Sequence, residues 1–444
     1  MDKINVLQVC NQLGRGGTEK AMQIFCENLD KTLFNVYVCG IKLGGERGKA
    51  LLDEGYEVYT AVDRQELISL IINKKIDIVH IHRAGSEEPF AVTCARDGGA
   101  RVIIETNVFG LVDESESGRL FDHHLFVSKM CALRYLRIKG LTWDDFFKTS
   151  KVLYNPVSLA PQPPRETLRD FKLSLGIDAS DPIIGRIGRP DMSKWGDICL
   201  KMMPFLVRMQ PDIKYVIVGA PEMIKRTVDA SDLRDNFIFL DDLSEEDLNM
   251  FYCVMDILVH SSRMGESFGY TIAEAMANGR PVVVNSTPLA DNAQIELVDN
   301  CRTGLVANSP QDYAEAIGYL INNKNTSTKF GQNGYAKMLR EYEARRTTRI
   351  LEKIYIKLLQ SKGAKLDREV VNKYDAISLS PSLDELVSFN KDYKKRLTDV
   401  YGKSGIFYKL ELLGERYLSS SPRLIKKWAV AIDSVRGFKW VAGK

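Results

Sequence analysis

Thirteen short apolar runs, most of them continuous rather than alternating, constrain this 444-residue chain more than any other feature. The first seven are INVLQVC (4–10), NVYVCGI (35–41), EVYTA (57–61), IDIVHIH (76–82), RVIIETN (101–107), HLFVS (124–128) and KVLYN (151–155). A strand with one wet face alternates apolar and polar residues, whereas a continuous run implies cover on both faces. Spacers of roughly 15 to 25 residues leave room for a helical crossover between successive strands. The pattern predicts a doubly wound α/β domain on a parallel sheet.

At NPVSLAPQPPRE four prolines, Pro156, Pro161, Pro163 and Pro164, interrupt any regular element, so a linker is expected there. Apolar runs then resume: PIIGRIG (182–188), KYVIVGA (214–220), NFIFLD (236–241), DILVHSS (256–262), RPVVVNS (280–286) and GLVA (304–307). Two doubly wound domains joined by a hinge imply a cleft between them, a common place for a ligand. The expected boundaries are 1–160, 161–360 and, for a helical basic C-terminal extension, 361–444. A chain of this length suits two domains and an appendage.

Lys+Arg minus Asp+Glu is 61 − 58 = +3, too balanced for a nucleic-acid binder as a whole. The charge is uneven, because residues 391–444 hold 13 Lys+Arg against 5 Asp+Glu, or +8, leaving −5 for the rest. In that tail Leu424, Trp428, Ala431, Val435 and Phe438 recur at steps of 4, 3, 4 and 3, one helical face. Trp428, Phe438 and Trp440 stand among Lys426, Lys427, Arg436 and Lys439. Such a helix either packs on its own domain or a partner, or lies on an anionic lipid surface. The cysteines are scattered with no C-x-x-C pair, which suits a reducing compartment. The N-terminal apolar run is too short for a secretory signal, and nowhere do about 18 uncharged apolar residues follow one another. A cytoplasmic protein is expected, with 421–444 as a candidate peripheral contact on the inner face of the membrane.

Three loops at strand ends carry the candidate chemistry. NQLGRGGTEK follows the first run and precedes a helical pattern, so amides around Gly16 and Gly17 can face a phosphate or sugar. A tight turn needing φ > 0 accounts for the same glycines. A nicotinamide site would want G-x-G-x-x-G, but the third position holds Glu19, and Gly40 ends the second run where a ribose-binding acid is expected. In GRIGRPDMSK, Arg189 and Lys194 follow the second domain's first run. Two cations there suit a diphosphate, each charged hydrogen bond being worth about 1.5–3 kcal/mol, although a solvated pair at a helix start has the same sequence. GESFGYTIAE sets Glu266 in a loop and Glu274 two turns into the next helix, with the amides of Ser267 to Gly269 expected at the helix start. First-turn acids that complement a helix dipole explain Glu266 but not Glu274.

GESFGYTIAEAMANGRPVVV resembles the E-x7-E signature of retaining glycosyltransferases of the GT-B fold, in particular glycosyltransferase family 4. The resemblance extends over residues 4–360, to the GGTEK loop, the R-x4-K spacing of Arg189 and Lys194, the NPVS similar to the family's end-of-domain NG motif, and IELVDNCRTGLVA, similar to its E-(I/L)-V…TG segment. It implies two Rossmann-like domains facing across a cleft, with 1–160 on the acceptor side and 161–360 binding the nucleotide sugar. It implies that Arg189 and Lys194 hold the donor diphosphate and stabilise the leaving nucleotide. Glu266 would lie beside the donor sugar, with backbone contacts from Phe268 and Gly269. Glu274 would accept the ribose hydroxyls, and Gly16 and Gly17 would close over phosphate or acceptor. Glu266, Arg189 and Lys194 are the candidate catalytic residues.

One departure stands out. The family usually carries a histidine after the fifth strand, where Asn107 stands here, able to bond a sugar hydroxyl but not to titrate near neutral pH. His82 is the other acceptor-side or sugar-side candidate, against the plainer role of a structural histidine. No D-x-D occurs to cradle a metal, and His80, His82, His123, His124 and His260 show no zinc spacing. The expectation is a metal-independent, cofactor-free hexosyltransferase. It would take a nucleoside-diphosphate sugar, with the base near Phe239 to Leu243, and pass the sugar to a glycan or lipid-linked glycan in surface polysaccharide assembly. A nucleotide-sugar epimerase of the same architecture and a non-catalytic sugar-binding subunit are the alternatives.

Overall fold

The computed structural model describes residues 2–418 and 421–436. Among them the first set of runs forms one sheet of seven strands: β1 (Ile4–Gln12), β2 (Phe34–Leu43), β3 (Glu57–Thr60), β4 (Ile78–Arg83), β5 (Val102–Asn107), β6 (His123–Phe126) and β7 (Ser150–Val152). All pairings are parallel, in the order β3-β2-β1-β4-β5-β6-β7. The second set forms six strands: β8 (Ile183–Ile187), β9 (Lys214–Val218), β10 (Phe237–Leu240), β11 (Ile257–His260), β12 (Val282–Val284) and β13 (Gly304–Val306). These too are parallel, in the order β10-β9-β8-β11-β12-β13. Burial on both faces explains the continuous apolar runs: Val6, Leu7 and Val9 of β1 are buried alike, as are Val282, Val283 and Val284 of β12.

The chain divides into two compact units, Met1–Ser158 with Glu341–Asn390, and Leu159–Arg340 with Lys391–Lys444. This differs from the expected boundaries, because 341–390 packs with the first sheet. The helix Ala344–Ser361 buries Ile350, Leu351, Ile354, Tyr355 and Leu359 against Ile4, Val6, Phe25 and Ile104. An amphipathic repeat specifies a face but not the sheet that covers it. The return is fastened at the linker, where Val157 N–H donates to Tyr342 O at 2.8 Å and Ala344 N–H to Val157 O at 3.0 Å.

In the second unit, the helices Ile406–Leu418 and Pro422–Arg436 pair closely. A Cβ on Gly414 would stand 2.3 Å from Trp428 Cδ1, and the Trp428 indole donates to Leu410 O at 3.0 Å. Trp428 therefore faces the neighbouring helix. The expected stripe does not pack as one face, since Leu424 and Val435 are exposed. Phe438, Lys439 and Trp440 lie outside the described residues.

Tyr355 also ties its helix to polar groups inside the first sheet. Its oxygen accepts from Gln8 Nε2 at 3.0 Å, and its hydroxyl lies 2.7 Å from His80 Nδ1. His80 Nε2 reaches Thr106 Oγ1 at 2.8 Å, and the His80 ring stacks on His82. Burial pushes the His82 and His123 imidazoles down to about 3, and His80 well below its ordinary value. An unfolded histidine takes up its proton near pH 6.5. Between the two values the unfolded chain binds more protons, so stability falls as pH drops from about 6.5 towards 3. Replacing His82 by Gln keeps an amide donor for Gln8 and should flatten that fall by about 1.4 kcal/mol per pH unit. Denaturant unfolding across this range reads the effect, and an unaltered slope would mean that His82 is protonated in the fold.

Candidate functional site

In an open parallel sheet the loops that follow the strands leave by one edge, and ligands sit in the crevice where the strand order reverses. In the second unit that reversal lies between β8 and β11, whose residues pair as Ile184 with Ile257 and Gly185 with Leu258. The loop after β8 carries Arg189 and Lys194; the loop after β11 carries Glu266.

The structure brings Lys194 and Glu266 together, with Nζ 3.3 and 3.2 Å from the two carboxylate oxygens. His260, the last residue of β11, places Nε2 3.3 Å from Glu266 Oε1. Burial alone would raise the Glu266 carboxyl, but His260 and Lys194 outweigh it and hold the pKa below the usual carboxylate range. Glu266 is therefore ionised at neutral pH. Burial lowers His260, against the pull of Glu266, so its imidazole is neutral there.

The two loops are stitched by a residue that motif reading passed over. Arg186 lies inside β8, 2% exposed, its guanidinium 4.1 Å over the Trp195 ring. Its Nη2 donates to Ser261 O at 2.8 Å and Lys194 O at 3.1 Å. Gly196 N–H also donates to Ser261 O, at 3.2 Å, and a Cβ there would meet Ser261 Oγ at 2.5 Å. A charged residue inside an otherwise apolar strand was the available signal, since buried arginines need partners.

Arg189 is exposed, and no side chain among the described residues pairs with it. Glu266 is fixed through its backbone as well: its N–H donates to Gln294 Oε1 at 3.0 Å and its C=O accepts from Ala293 at 2.8 Å. Gly265, at φ +64°, has Asp291 O where a Cβ would stand. The following helix is Tyr270–Ala277, so it starts after the stretch Ser267 to Gly269 expected to supply its first amides. Gly269 is its N-cap at φ +102°, a left-handed conformation open to glycine. Phe268 buries its ring edge-on against Tyr270, which leaves its backbone as the part a ligand could meet. Glu274 accepts from the Tyr252 hydroxyl at 2.6 Å. The two glutamates thus have separate partners.

The first-unit candidates fare differently. Gly16 caps the helix Gly17–Asn28 at φ −77°, so no left-handed turn explains the glycines. Instead the Glu19 carboxylate folds back to where a Gly16 Cβ would lie, so a side chain at position 16 would meet it. His82 is 3% exposed with Nε2 on Gln8 Oε1 at 2.8 Å, a structural histidine rather than a sugar contact. Asn107 is fully buried and holds its own loop: Nδ2 donates to Leu111 O and Oδ1 accepts from Gly110, both at 2.8 Å. Strand-end position suggested access for both residues; burial removes it. Beside them Arg83 pairs with Glu105 and Asp113, and His124 with Glu105.

The segments that follow β8, β11, β12 and β13, together with the two C-terminal helices, line a cavity of about 80 Å³. Its lining includes Asp197, Arg263, Asn285, Asn308, Tyr408 and Glu411, so the C-terminal extension forms one wall.

Residues 169–337, which span Arg189, Lys194, Glu266 and Glu274, match the sequence family described as Glycosyl transferases group 1. The chain is 23% identical over 349 residues to spore coat protein SA of Bacillus subtilis, covering 72% of this chain and 89% of that protein. It is 30% identical over 141 residues to a D-inositol 3-phosphate glycosyltransferase of Segniliparus rotundus, but spans only 31% of that relative's length and 29% of its own. Among solved structures, a glycosyltransferase from Rickettsia africae aligns with TM-score 0.67 and 17% identity over 81% of this chain and all of that one. Anabaena HepE in complex with UDP aligns with TM-score 0.64 and 16% identity over 80% of this chain and all of HepE. These likenesses fix the fold as GT-B, two Rossmann-like domains with a helical C-terminal extension. With the group 1 match they support a glycosyltransferase.

Proposed function

We propose that the chain moves a sugar from a nucleoside-diphosphate sugar to a hydroxyl acceptor, with retention at the anomeric carbon, as glycosyltransferase family 4 enzymes do. The observation that carries the proposal is the pairing of a lysine with an ionised, largely buried carboxylate at the reversal of strand order in the second sheet. A diphosphate offers Lys194 more negative charge than one carboxylate. With Arg189, the ammonium neutralises the charge that grows on the leaving phosphate as the bond to the sugar breaks. Glu266 is then left facing the sugar, where a carboxylate favours positive charge at the anomeric carbon. Glu274 keeps acceptor capacity for the ribose hydroxyls beside its bond to Tyr252. The backbone of Phe268 and Gly269 is assigned to the phosphates. The chain's own cations, rather than a metal, are assigned the leaving-group charge.

UDP in the HepE structure, and UDP-glucose in another complex of that protein, support a nucleotide sugar as donor. We assign the acceptor to a growing or lipid-linked glycan in surface polysaccharide assembly, with which the spore coat name of the Bacillus relative is consistent. No helix among the described residues is long and apolar enough to cross a membrane. Contact with a bilayer is assigned to 421–444, at the cytoplasmic side, where exposed Leu424, Val430 and Val435 lie among Arg423, Lys426 and Lys427. A second reading, a silent sugar-binding subunit, draws on Asn107, whose side chain is spent on its own loop.

Glu266→Gln and Lys194→Ala should each lower transfer at least about tenfold, equivalent to about 1.4 kcal/mol. Nucleoside diphosphate should be released only when acceptor is present. Wild-type rates from both variants would remove the site assignment, conversion of donor without acceptor would indicate an epimerase, and binding without turnover would indicate the silent subunit. Removal of 421–444 should reduce sedimentation with anionic lipid vesicles; equal sedimentation would end the membrane assignment.

A further inference from the structure

The Glu266 carboxylate has two neighbours, and the proposed chemistry uses only Lys194. On the other side His260, 6% exposed, puts Nε2 3.3 Å from Glu266 Oε1. Among the described residues that buried nitrogen makes no hydrogen bond, so it stands near the carboxylate without being bonded to it. Main-chain bonds hold both residues in place: His260 O accepts from the Tyr313 hydroxyl at 2.6 Å, and the Glu266 N–H is bonded to Gln294. Their side chains can therefore draw together without the backbone having to move.

A donor diphosphate that recruits Lys194 takes from Glu266 its only ammonium partner among the described residues. A largely buried carboxylate left with no partner is destabilised. We propose that His260 is a positioning residue for Glu266: its Nε2–H closes on the carboxylate when Lys194 turns to the diphosphate, and keeps that carboxylate aimed at the donor sugar during transfer. The proposal rests on the assignment of this site to a nucleotide sugar.

The charged and titratable groups around the imidazole are Glu266 from the loop after β11, Arg186 from β8, Lys194 from the loop after β8, and Tyr313 from the helix Pro310–Asn322. Glu266 favours the imidazolium; Arg186 and Lys194 oppose it. Departure of Lys194 to an anionic diphosphate removes one opponent, so the donor complex should hold a proton on His260 at higher pH than the free protein does.

The test compares kcat and donor KM for His260→Leu and His260→Gln between about pH 5.5 and 8. His260→Leu should lose about tenfold in kcat with donor KM changed less than about twofold. His260→Gln, which restores an N–H at similar reach, should recover to within about threefold of wild type and lack the acid-side titration. Wild-type kcat and an unchanged pH profile in His260→Leu would overturn the proposal. A second measurement needs no turnover: the His260 ring, titrated by NMR in the full chain, should shift down by about half a pH unit or more in Glu266→Gln. No shift would overturn the pairing. If wild type turns over no sugar nucleotide, the transfer assignment falls, and the NMR titration still decides the His260–Glu266 contact.

Discussion

The pairing of β8 with β11 is the constraint on which the second unit's site depends. Because the sheet is parallel, both strands release their loops at the same edge. Because they are neighbours across the reversal in strand order, those loops meet. Arg186 makes the meeting specific, with one guanidinium bonded to a carbonyl in each loop and stacked on Trp195. Lys194 and Glu266 are thus brought within ion-pair distance on a buried framework.

Much of the fold was legible because fully covered parallel strands must be continuously apolar. Each run from INVLQVC to GLVA became a strand, shifted by at most three residues at its ends. The destination of Ala344–Ser361 was not legible, since its repeat of apolar residues would suit either sheet. Only contact with Ile4, Val6 and Ile104 decides it. In the candidate site, the placement of Lys194 and Glu266 in the loops after β8 and β11 was legible from the apolar runs before them. His260 and Arg186 were not, because each reads as an odd polar residue in an apolar strand, and only the register between β8 and β11 shows what it faces. His82 and Asn107 failed for the complementary reason. A place at a strand end specifies an edge of the sheet, but not whether the side chain points to solvent or into the core.

The two units treat the carboxyl edges of their sheets differently. In the first, Arg83, Glu105, Asp113 and His124 satisfy one another beneath the loop after β5, and Asn107 closes that loop on itself. Polar groups there are spent on shaping the loop. In the second, Arg189 stands exposed and Lys194 is paired with Glu266. These are the cations to which the proposal assigns a doubly negative ligand.

The most direct test is a crystal structure of the protein with a nucleoside diphosphate bound. The terminal phosphate is expected within about 3 Å of Lys194 Nζ, with Lys194 drawn away from Glu266. A diphosphate bound elsewhere, with the Lys194–Glu266 pair intact, would contradict it.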